Sequence, residues 1–398
     1  MRILFYRYNS ICEPDIIEAF QLLGVEVWEE QIEIEDKALP PSGKIKHLAD
    51  VLLKDRGDGK ISFVFSVNFY PYVSELCNKL NILYICWSVD CPVPELLSAS
   101  VRNQCNRIFL FDQVQYQTIY PYNPERVFYL PLATNTERWD KVLEELTEED
   151  RRKYSADVSF IGSLYHEKSP LAMLDNRVNF PGYWKGYIKG IVESQLKVYG
   201  YNFMEEAIPD ELIACLKEYD PKFYCLKDAV ADVDRYVAAH YYLGALAAEI
   251  ERVRTLNILA ETNKVTVYTR SDTSYLQGVD CKSGVTTHGQ MPKIFHLSKI
   301  NLNITMRSIQ SGLSLRVWDI LGCGGFCLSN YQSEIPAFLE IGKDIECYES
   351  LEECKEKVMY YLTHDEIRKE IAQNGYQKVK RYHTYDVRIA EMLKMLLL

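Results

Sequence analysis

The first part of the chain alternates short apolar runs with segments whose apolar residues recur at helical spacing. RILFYRY is apolar and β-rich, EPDIIEAFQLLG has a helical pattern that ends at Gly24, and VEVWEEQI resumes as a strand. A strand–helix–strand opening predicts parallel pairing, because parallel neighbours need a crossover connection.

The same alternation continues toward residue 150. The further predicted strands are ISFVFSVN, ILYICWSVD, NRIFLFD and RVFYLPLA, and the further predicted helices are YPYVSELCNKLN and VPELLSASVRNQC. We therefore predict a Rossmann-like domain over residues 1–150. Its last segment, TERWDKVLEELTEEDRRKYSA, is highly charged and is interpreted as a helical connector on the surface.

A second α/β unit begins at ADVSFIGSLYHEKSP and is predicted to cover residues 151–380. Residues 168–258 show helical spacing and no strong strand pattern, which predicts a helical insertion. KVTVYTR, INLNIT and GGFCLSN then return as strands, and residues 381–398 are predicted to form a helix that packs back on the N-terminal domain. The predicted fold class is α/β: two Rossmann-like domains facing across a cleft, with ligands at the carboxyl ends of the strands.

The charge, the apolar runs and the cysteines of the chain argue against several classes of function. The net charge is −11 and no long Lys/Arg run occurs, which argues against nucleic acid as a partner. MRILFYRYNS is too short and polar for a signal peptide, and no apolar run of ~18 residues predicts a transmembrane segment. The twelve cysteines form no CxxC pair and lie mostly in apolar runs, which is typical of reduced thiols in a cytoplasmic protein. Cys323 and Cys327 have no matching His or Cys pair, so no metal site is predicted.

The stretch SGLSLRVWDILGCGGF combines a helix start rich in small residues with an arginine and an aspartate. A helix start offers backbone N–H groups and a positive dipole end, which attract a phosphate or diphosphate. The Arg316 guanidinium adds a bidentate hydrogen-bond donor. Asp319, one turn further along the helix, can accept hydrogen bonds from a ribose diol. The alternative interpretation is an intrahelical ion pair followed by a glycine-rich turn, and this stretch alone does not separate the two.

Two further loops follow predicted strands in the same domain. In DVSFIGSLYHEK, Gly162 lets a ligand approach the backbone and Ser163 can donate to a phosphate oxygen, although such a pair is more often a turn. In GVTTHGQMPKIFHLSK, His288 and Gly289 precede a short predicted helix, and a lone histidine is usually structural. Loops on consecutive α/β units converge at one sheet edge, which favours a shared site.

The C-terminal half resembles the donor-binding domain of GT-B-fold glycosyltransferases, in the branch that includes CgeB-like spore-maturation proteins. The segments that carry the resemblance are DVSFIGSLY, HGQMPKIFHLSKINLNIT, SGLSLRVWDILGCGGFCLSN and the tail YYLTHDEIRKEIAQNGYQKVKRYHTYDVRIAEML. The N-terminal half is similar to the uncharacterised domain that often precedes it, in RILFYRYNS, SVNFYP, CWSVDCPVPEL, IFLFD and VFYLPLA.

The resemblance implies a nucleotide sugar, taken here as UDP-linked, in the C-terminal domain, and a glycan or protein acceptor approached from the N-terminal domain. It places Gly162 and Ser163 near the diphosphate and Arg316 on the phosphates. It places His288 and Gly289 beside the base or ribose and Asp319 on the ribose. Further phosphate donors are the backbone groups of Ser311, Gly312, Leu313 and Ser314. It also implies no cofactor and no metal, because a helix terminus and basic side chains take the place of a divalent cation.

The chain departs from its resembling family at one position. Many relatives carry two glutamates eight positions apart around this helix, the first of which contacts the donor sugar. Here the second place holds Asp319 and the first holds Ser311. This departure leaves the identity of the sugar and the stereochemical course open.

An inverting transfer also needs a base for the acceptor hydroxyl. Asp90 follows the strand ILYICWSV directly and is the first candidate, and Asp112 after RIFLF is the second. Asn9 and Ser10, after the first strand, are candidate acceptor-binding residues. The alternative is that the two aspartates cap turns or helices.

Three other functions compete with glycosyl transfer. An NAD-dependent oxidoreductase is disfavoured because RYNSICEPD, after the first strand, contains no glycine. A nucleotide-sugar epimerase shares the predicted two-domain plan and would act without an acceptor. A catalytically degenerate binding subunit is supported by Ser311.

Overall fold

The computed structural model describes residues 1–54, 61–177 and 180–396, without the side chains of residues 54 and 175–177. Residues 178 and 179 of the predicted insertion and the last two residues of the predicted terminal helix lie outside this part of the chain. Twelve strands are described: β1 Arg2–Tyr6, β2 Glu26–Glu30, β3 Phe63–Val67, β4 Leu83–Ser88, β5 Asn106–Leu110, β6 Val127–Tyr129, β7 Val158–Ile161, β8 Val265–Thr269, β9 Asp280–Ser283, β10 Ile300–Asn303, β11 Cys327–Asn330 and β12 Glu346–Tyr348.

The α-helices of the described residues surround these strands. They are α1 Glu13–Leu22, α2 Ile32–Glu35, α3 Pro41–Lys54, α4 Pro71–Leu80, α5 Gln113–Ile119, α6 Thr136–Glu144, α7 Glu148–Tyr154, α8 Pro170–Arg177, α9 Gly182–Gln195, α10 Met204–Ala207, α11 Asp210–Tyr219, α12 Val233–Val237, α13 Gly244–Ala260, α14 Gln290–Leu297, α15 Leu315–Gly322, α16 Ile335–Phe338, α17 Leu351–Thr363, α18 Asp365–Tyr382 and α19 Tyr385–Leu396. A π-helical turn, Ala238–Leu243, joins α12 to α13, and 3₁₀ turns span Pro94–Leu97, Ala99–Arg102, Tyr120–Tyr122 and His166–Lys168.

The strands form two six-stranded sheets in which every pairing is parallel, so the predicted α/β class is confirmed. The first sheet has the order β2-β1-β3-β4-β5-β6 and the second has the order β12-β11-β10-β7-β8-β9. Both orders reverse direction once, between β1 and β3 in the first sheet and between β7 and β10 in the second. Such a reversal opens a crevice at the carboxyl ends of the strands, where open α/β sheets bind ligands.

The first compact unit comprises Met1–Ala133, Leu226–Val233 and Thr384–Leu398. Its terminal helix α19 packs against α1, and the Arg388 Nε atom donates to the Pro131 carbonyl at 3.2 Å. The Tyr385 ring meets the buried Trp87 ring edge-on, with centroids 6.1 Å apart. The last helix of the chain therefore belongs to the first unit.

The segment VPELLSASVRNQC is not the single helix that its apolar pattern predicted. It forms two 3₁₀ turns separated by Ser98, whose backbone is extended. Ser98 pairs with Ala229 in an antiparallel bridge, and the Val230 amide donates to the Leu97 carbonyl at 2.8 Å. Pairing with a segment more than a hundred residues away thus overrides the local helical pattern.

The second compact unit comprises Thr134–Cys225 and Asp234–His383. Its core lies between the second sheet and helices α13, α17 and α18, and includes Phe160, Leu256, Ile300 and Val358, all at most 3% exposed. Helices α8 to α13 occupy the connection between β7 and β8, where the insertion was predicted. The charged segment that contains α6 is helical as predicted, but it is not simply a surface connector, because Trp139 on α6 is 1% exposed.

Candidate functional site

The reversal point of the second sheet lies between β7 and β10, and it organises the candidate site. Gly162 follows β7, and its amide donates to the Tyr268 carbonyl of the neighbouring strand at 3.1 Å. The loop of residues 304–314 follows β10 and leads into α15. In parallel α/β units the helix after a loop begins at the carboxyl edge of the sheet, so the positive end of α15 lies at this edge.

Arg252, on α13, joins the two loops at the reversal point. Its Nη1 atom donates to the Ser163 carbonyl at 2.6 Å and its Nη2 atom donates to the Ile304 carbonyl at 2.8 Å. The guanidinium carbon lies 4.6 Å from the centroid of the Tyr165 ring. Burial lowers the pKa of Arg252, although the group remains a cation at any physiological pH. This arginine was not predicted from the sequence.

Arg316, in the first turn of α15, provides a second cation. Its Nη1 atom lies 2.8 Å from the Met291 Sδ atom, and its guanidinium carbon lies 5.4 Å from the Phe295 ring centroid. Burial lowers the pKa of Arg316, the Asp319 carboxylate opposes that decrease, and the charge of Arg252 adds to it. Arg316 forms no ion pair with a carboxylate among the described residues, so the intrahelical ion pair is not observed. A bound anion would relieve the repulsion between the two guanidinium groups.

Asp319 and His288, which the sequence analysis assigned to the same ligand, are linked by two residues that it did not predict. The Thr134 hydroxyl donates to Asp319 Oδ1 at 2.8 Å and accepts from Trp139 Nε1 at 2.7 Å. The His288 ring stacks on the Trp139 ring, with centroids 5.9 Å apart and planes 20° apart. Asp319, Thr134 and Trp139 are all buried. The orientation of the Asp319 carboxylate therefore depends on Thr134.

The loop of residues 304–314 is held by hydrogen bonds from several directions, and residues of the helical insertion supply several of them. The Thr305 amide donates to Asn330 Oδ1 at 2.9 Å, and the Arg307 guanidinium donates to the Glu251 carboxylate at 2.8 Å. The Arg307 carbonyl accepts from the Asn202 side-chain amide at 2.8 Å. The Ser308 hydroxyl donates to the His240 carbonyl at 2.9 Å, and the Ser311 hydroxyl donates to Glu334 at 2.6 Å. A Cβ atom at Gly244 would lie 2.3 Å from Ser308 Oγ, so α13 approaches this loop closely. The insertion thus fixes the loop that precedes α15.

Two predicted serines make contacts within the protein. Ser163 Oγ donates to Glu167 Oε1 at 2.6 Å, and Ser271 donates to the same oxygen at 2.9 Å. Burial raises the pKa of Glu167, but these hydrogen bonds outweigh it and the pKa lies below its usual value. Ser311 is 3% exposed and donates to Glu334. Both hydroxyls donate to carboxylates of the protein, and the phosphate contact of Ser163 stays a prediction.

The other predicted donor residues lie around the first turns of two helices. Ser314 is the N-cap residue of α15, and its hydroxyl contacts Asn303 Oδ1 at 3.4 Å instead of capping the helix. Gly312 and Leu313 are buried before it. Gly289 is the N-cap residue of α14. Their roles stay predictions that depend on backbone groups.

In the first unit, Asp90 lies after β4, at the carboxyl edge where the sequence analysis expected it. Its Oδ2 atom accepts from Asn68 Nδ2 at 2.7 Å and from the Tyr8 hydroxyl at 3.3 Å. Burial and the charge of Asp90 raise the pKa of Tyr8, so Tyr8 remains a proton donor. Asn68 has a φ of 61°, a left-handed conformation that asparagine tolerates. Asp90 is thus an exposed carboxylate held by two neighbouring loops.

The other predicted residues of the first unit lie in different surroundings. Asn9 is exposed, and Ser10 contacts the Cys12 Sγ atom at 3.3 Å. Asp112 is buried, and its side chain accepts from the Gln115 amide at 2.8 Å as the N-cap of α5. The structure therefore gives Asp112 the capping role that was its alternative interpretation.

A carboxylate at the start of α1 accepts from amides of the loop after β1, at the place where dinucleotide-binding proteins hold a phosphate. Glu13 is fully buried and accepts from the backbone amides of Tyr8 at 2.8 Å and Asn9 at 3.1 Å. Arg7 Nε also donates to Glu13 at 3.0 Å. The protein's own anion occupies these donors, which agrees with the missing glycine fingerprint.

Within residues 1–54, 61–177 and 180–396, no group of three or more His, Cys, Asp or Glu side chains is arranged to hold a metal ion. None of the described helices is both long enough and apolar enough to cross a membrane. All twelve cysteines carry free thiols, nine of them buried, whereas Cys225 and Cys281 are exposed.

Replacing Thr134 by valine tests the role of this residue behind Asp319. The change removes the hydroxyl between Trp139 and Asp319 and leaves a buried indole N–H without its acceptor, so the free energy of unfolding should fall by about 1–3 kcal/mol. Urea denaturation measures this change. Thr134→Ser keeps the hydroxyl and loses only the methyl group, so it is the matched control; a loss in Thr134→Val no larger than the loss in Thr134→Ser would contradict the role of the hydroxyl.

Part of the chain is similar to a known protein family. Residues 249–394 match the protein family described as glycosyl transferase-like, a region that includes Arg252, His288, Arg316 and Asp319. An uncharacterized protein from Aquifex aeolicus (strain VF5) is 29% identical over 103 residues, which are 25% of this chain and 26% of that protein.

Three solved structures are similar over nearly the whole chain. A glycosyltransferase from Rickettsia africae ESF-5 has a TM-score of 0.54 and 10% identity, and the match covers 99% of this chain and 97% of that chain. The UDP-forming α,α-trehalose-phosphate synthase from Burkholderia xenovorans has a TM-score of 0.53 and 9% identity, with 99% of this chain and 98% of that chain covered. HepE from Anabaena in complex with UDP-glucose has a TM-score of 0.51 and 10% identity, with 99% of each chain covered. At these identities the likeness establishes the fold. The chain has the two-sheet GT-B fold, and the glycosyl transferase-like region runs from α13 of the second unit to α19 of the first unit.

Proposed function

We propose that the protein is a glycosyltransferase, of the CgeB-like branch, that moves a hexosyl or N-acetylhexosaminyl group from a UDP-sugar to a glycan or protein acceptor in the cytoplasm. One observation carries the proposal. Two partly buried arginines, Arg252 and Arg316, lie at the reversal point of the second sheet beside the positive end of α15, within the glycosyl transferase-like region. That arrangement suits a diphosphate.

The proposed chemistry follows from where charge develops. When the bond between the sugar and UDP breaks, negative charge grows on the leaving phosphate oxygen. Arg316 and the amides of the first turn of α15 would stabilise that charge as it forms, which lowers the barrier more than it stabilises the bound donor. Asp319 would hold the ribose and His288 would border the base. In this proposal the arginines and the helix end do the work of a divalent cation.

We propose Asp90 as the base that takes the proton of the acceptor hydroxyl. Its hydrogen bonds from Asn68 and Tyr8 fix the carboxylate, and its exposure leaves it open to an acceptor. Asn9 and Ser10, on the loop after β1, would contact the acceptor.

The experiment that tests the function is the release of UDP. The purified protein is incubated with UDP-glucose, UDP-galactose and their N-acetylhexosamine counterparts, with and without EDTA, and UDP is measured over time. Slow hydrolysis of one donor supports transfer, and release that persists in EDTA supports the metal-independent mechanism. Conversion between sugar isomers without UDP release would indicate an epimerase, and binding without turnover would indicate a degenerate binding subunit.

Asp90→Asn should separate chemistry from donor binding. The amide keeps the shape and the hydrogen bond from Tyr8 but cannot take a proton, so UDP release should fall by roughly 10²-fold or more while UDP affinity stays unchanged. Asp112→Asn is the comparison, since its carboxylate caps α5. A variant with unchanged turnover would remove Asp90 from the mechanism.

A further inference from the structure

The first sheet has a cluster of four tyrosines at its own reversal point, between β1 and β3. Tyr6 ends β1 and Tyr8 lies in the loop after it, whereas Tyr70 precedes α4 and Tyr72 lies in its first turn. The Tyr70 ring meets the other three edge-on, with centroids 5.4 Å from Tyr6, 6.2 Å from Tyr8 and 5.6 Å from Tyr72. Open α/β sheets bind ligands at such a reversal, so the cluster lies where a ligand of the first unit is expected.

Tyr70 differs from the other three tyrosines because its hydroxyl is not used by the protein. The other hydroxyls bind carboxylates: Tyr6 and Tyr72 bind Glu33, and Tyr8 binds Asp90. The Tyr70 hydroxyl forms no hydrogen bond with the described residues, and it reaches solvent although the residue is partly buried. Burial, assisted by the nearby acidic groups, raises the pKa of Tyr70, so the phenol keeps its proton. A polar ligand can therefore both accept from this hydroxyl and donate to it.

The two cations that contact the carboxylates around this cluster are already paired. Lys44 contacts the Glu33 carboxylate, and Arg7 Nε donates to Glu13 at 3.0 Å. Asp90, by contrast, is an exposed carboxylate at the same edge of the sheet. An anionic ligand would meet this negative charge while both of these cations are engaged elsewhere. A neutral ligand with hydroxyl groups to donate suits the same surroundings better.

Two backbone donors of the loop after β1 are also taken. Glu13 accepts from the amides of Tyr8 at 2.8 Å and Asn9 at 3.1 Å. Extended peptides are bound largely through backbone hydrogen bonds, and these two amides are not available for them. Tyrosine rings, a free phenol and a carboxylate are left at this edge, which favours a sugar over a peptide.

From these observations we propose that the acceptor is an uncharged glycan and that Tyr70 binds its terminal sugar. This inference rests on the proposed glycosyl transfer with Asp90 as the base. The partly positive C–H groups of a pyranose are attracted to the electron-rich face of a tyrosine ring, and its hydroxyls pair with a phenol and a carboxylate. Tyr70 binds one hydroxyl of the acceptor sugar, and Asp90, which Tyr8 connects to Tyr70, accepts from the reacting hydroxyl.

The transfer step that this arrangement serves is balanced. The acceptor oxygen bonds to the anomeric carbon of the donor while the bond from that carbon to the phosphate oxygen breaks. The proton of the acceptor hydroxyl passes to Asp90, and UDP leaves with the electron pair of the broken bond. Tyr70 touches the acceptor and keeps its own proton, so its role is to bind and orient.

Stimulation of UDP release by added acceptors tests the class of acceptor. With its preferred UDP-sugar, the full chain should release UDP faster when neutral methyl glycosides or disaccharides are added. Glucuronic acid, glucose 6-phosphate and a peptide containing serine and threonine should stimulate release less. Stimulation by the peptide or the anionic sugars alone, or no stimulation by any neutral sugar of the panel, would overturn the proposal.

Tyr70→Phe keeps the ring and removes the hydroxyl. It should raise the KM for the stimulating sugar by roughly 2–10-fold, the usual effect of one neutral hydrogen bond, with a smaller change in kcat. Among monodeoxy forms of that sugar, the one that lacks the hydroxyl bound by Tyr70 should be a poor acceptor for the parent chain but should match the complete sugar in Tyr70→Phe. Tyr120→Phe removes an exposed phenol of the same unit and should change neither constant. An unchanged KM in Tyr70→Phe would remove Tyr70 from the acceptor site.

Failure of this inference can be distinguished from failure of the proposed function. If the parent chain hydrolyses a UDP-sugar but no neutral sugar accelerates the release, glycosyl transfer stands and the assignment of the acceptor is wrong. If no UDP-sugar is turned over, the proposed function fails. Saturation-transfer NMR of the neutral sugars with the parent chain and Tyr70→Phe then still measures binding, and equal signals from the two proteins would overturn the role of Tyr70.

Discussion

Replacing Arg316 by alanine is expected to lower the rate of UDP release from the preferred UDP-sugar by roughly 10²–10³-fold, the usual cost of removing one preorganised donor from a developing anion. Arg316 lies in the first turn of α15 and pairs with no carboxylate of the described residues, so its charge is available to a diphosphate. The turnover rate at saturating donor measures the effect on the reaction, and calorimetry measures the effect on UDP affinity.

Two further variants serve as comparisons for Arg316→Ala. Arg316→Lys keeps the charge but not the two-pronged geometry, so it should retain part of the affinity and less of the rate. Arg152→Ala removes an exposed arginine on α7 and should change neither quantity. Retained UDP affinity in Arg316→Ala, in a protein with an unchanged unfolding curve, would contradict the assignment of the donor site.

Replacing Arg307 by methionine should have the largest effect on stability. Arg307 and Glu251 are 5% and 3% exposed, and their side chains are joined at 2.8 Å. Removing one partner leaves a buried carboxylate without its counter-ion, which typically costs about 3–5 kcal/mol of the free energy of unfolding. Urea denaturation at neutral pH measures this loss.

The loss in Arg307→Met should also depend on pH. Burial raises the pKa of Glu251, and the charge of Arg307 opposes that rise, so the variant raises the pKa further. Above the folded-state pKa the buried carboxylate is ionised and destabilises the fold. Below the ordinary glutamate pKa it is protonated in both states and costs nothing. The deficit of the variant should therefore shrink as the pH falls toward the ordinary glutamate range.

Helix α13, which carries Glu251, also offers a matched control for Arg307→Met. Arg254 pairs with Glu193 near the surface, with side chains 38% and 34% exposed, so Arg254→Met should cost only about 0–1 kcal/mol. Glu251→Gln/Arg307→Met removes both charges and should recover part of the loss. If Arg254→Met and Arg307→Met cost the same, the buried pair would not be what anchors the loop of residues 304–314.

Much of the fold was predictable from the sequence because strands covered on both faces appear as continuous apolar runs. That is why β1, β3, β4, β7 and β8 were found from RILFYRY, ISFVFSVN, ILYICWSVD, DVSFIGS and KVTVYTR. The edge strands β9 and β12 were missed. Each is only three or four residues long, and β9 is mostly exposed, so neither produces an apolar run.

For the candidate site, the sequence by itself determined which loops reach the carboxyl edge, because a loop after a parallel strand can lie nowhere else. Only the tertiary structure decided which side chains meet there. Arg252 looks like any helix arginine in the sequence, yet its two carbonyl partners lie 89 and 52 positions away. Thr134 and Asp319 are 185 positions apart. A hydrogen bond between distant segments leaves no local pattern, since it depends on how the chain returns and not on the neighbouring residues.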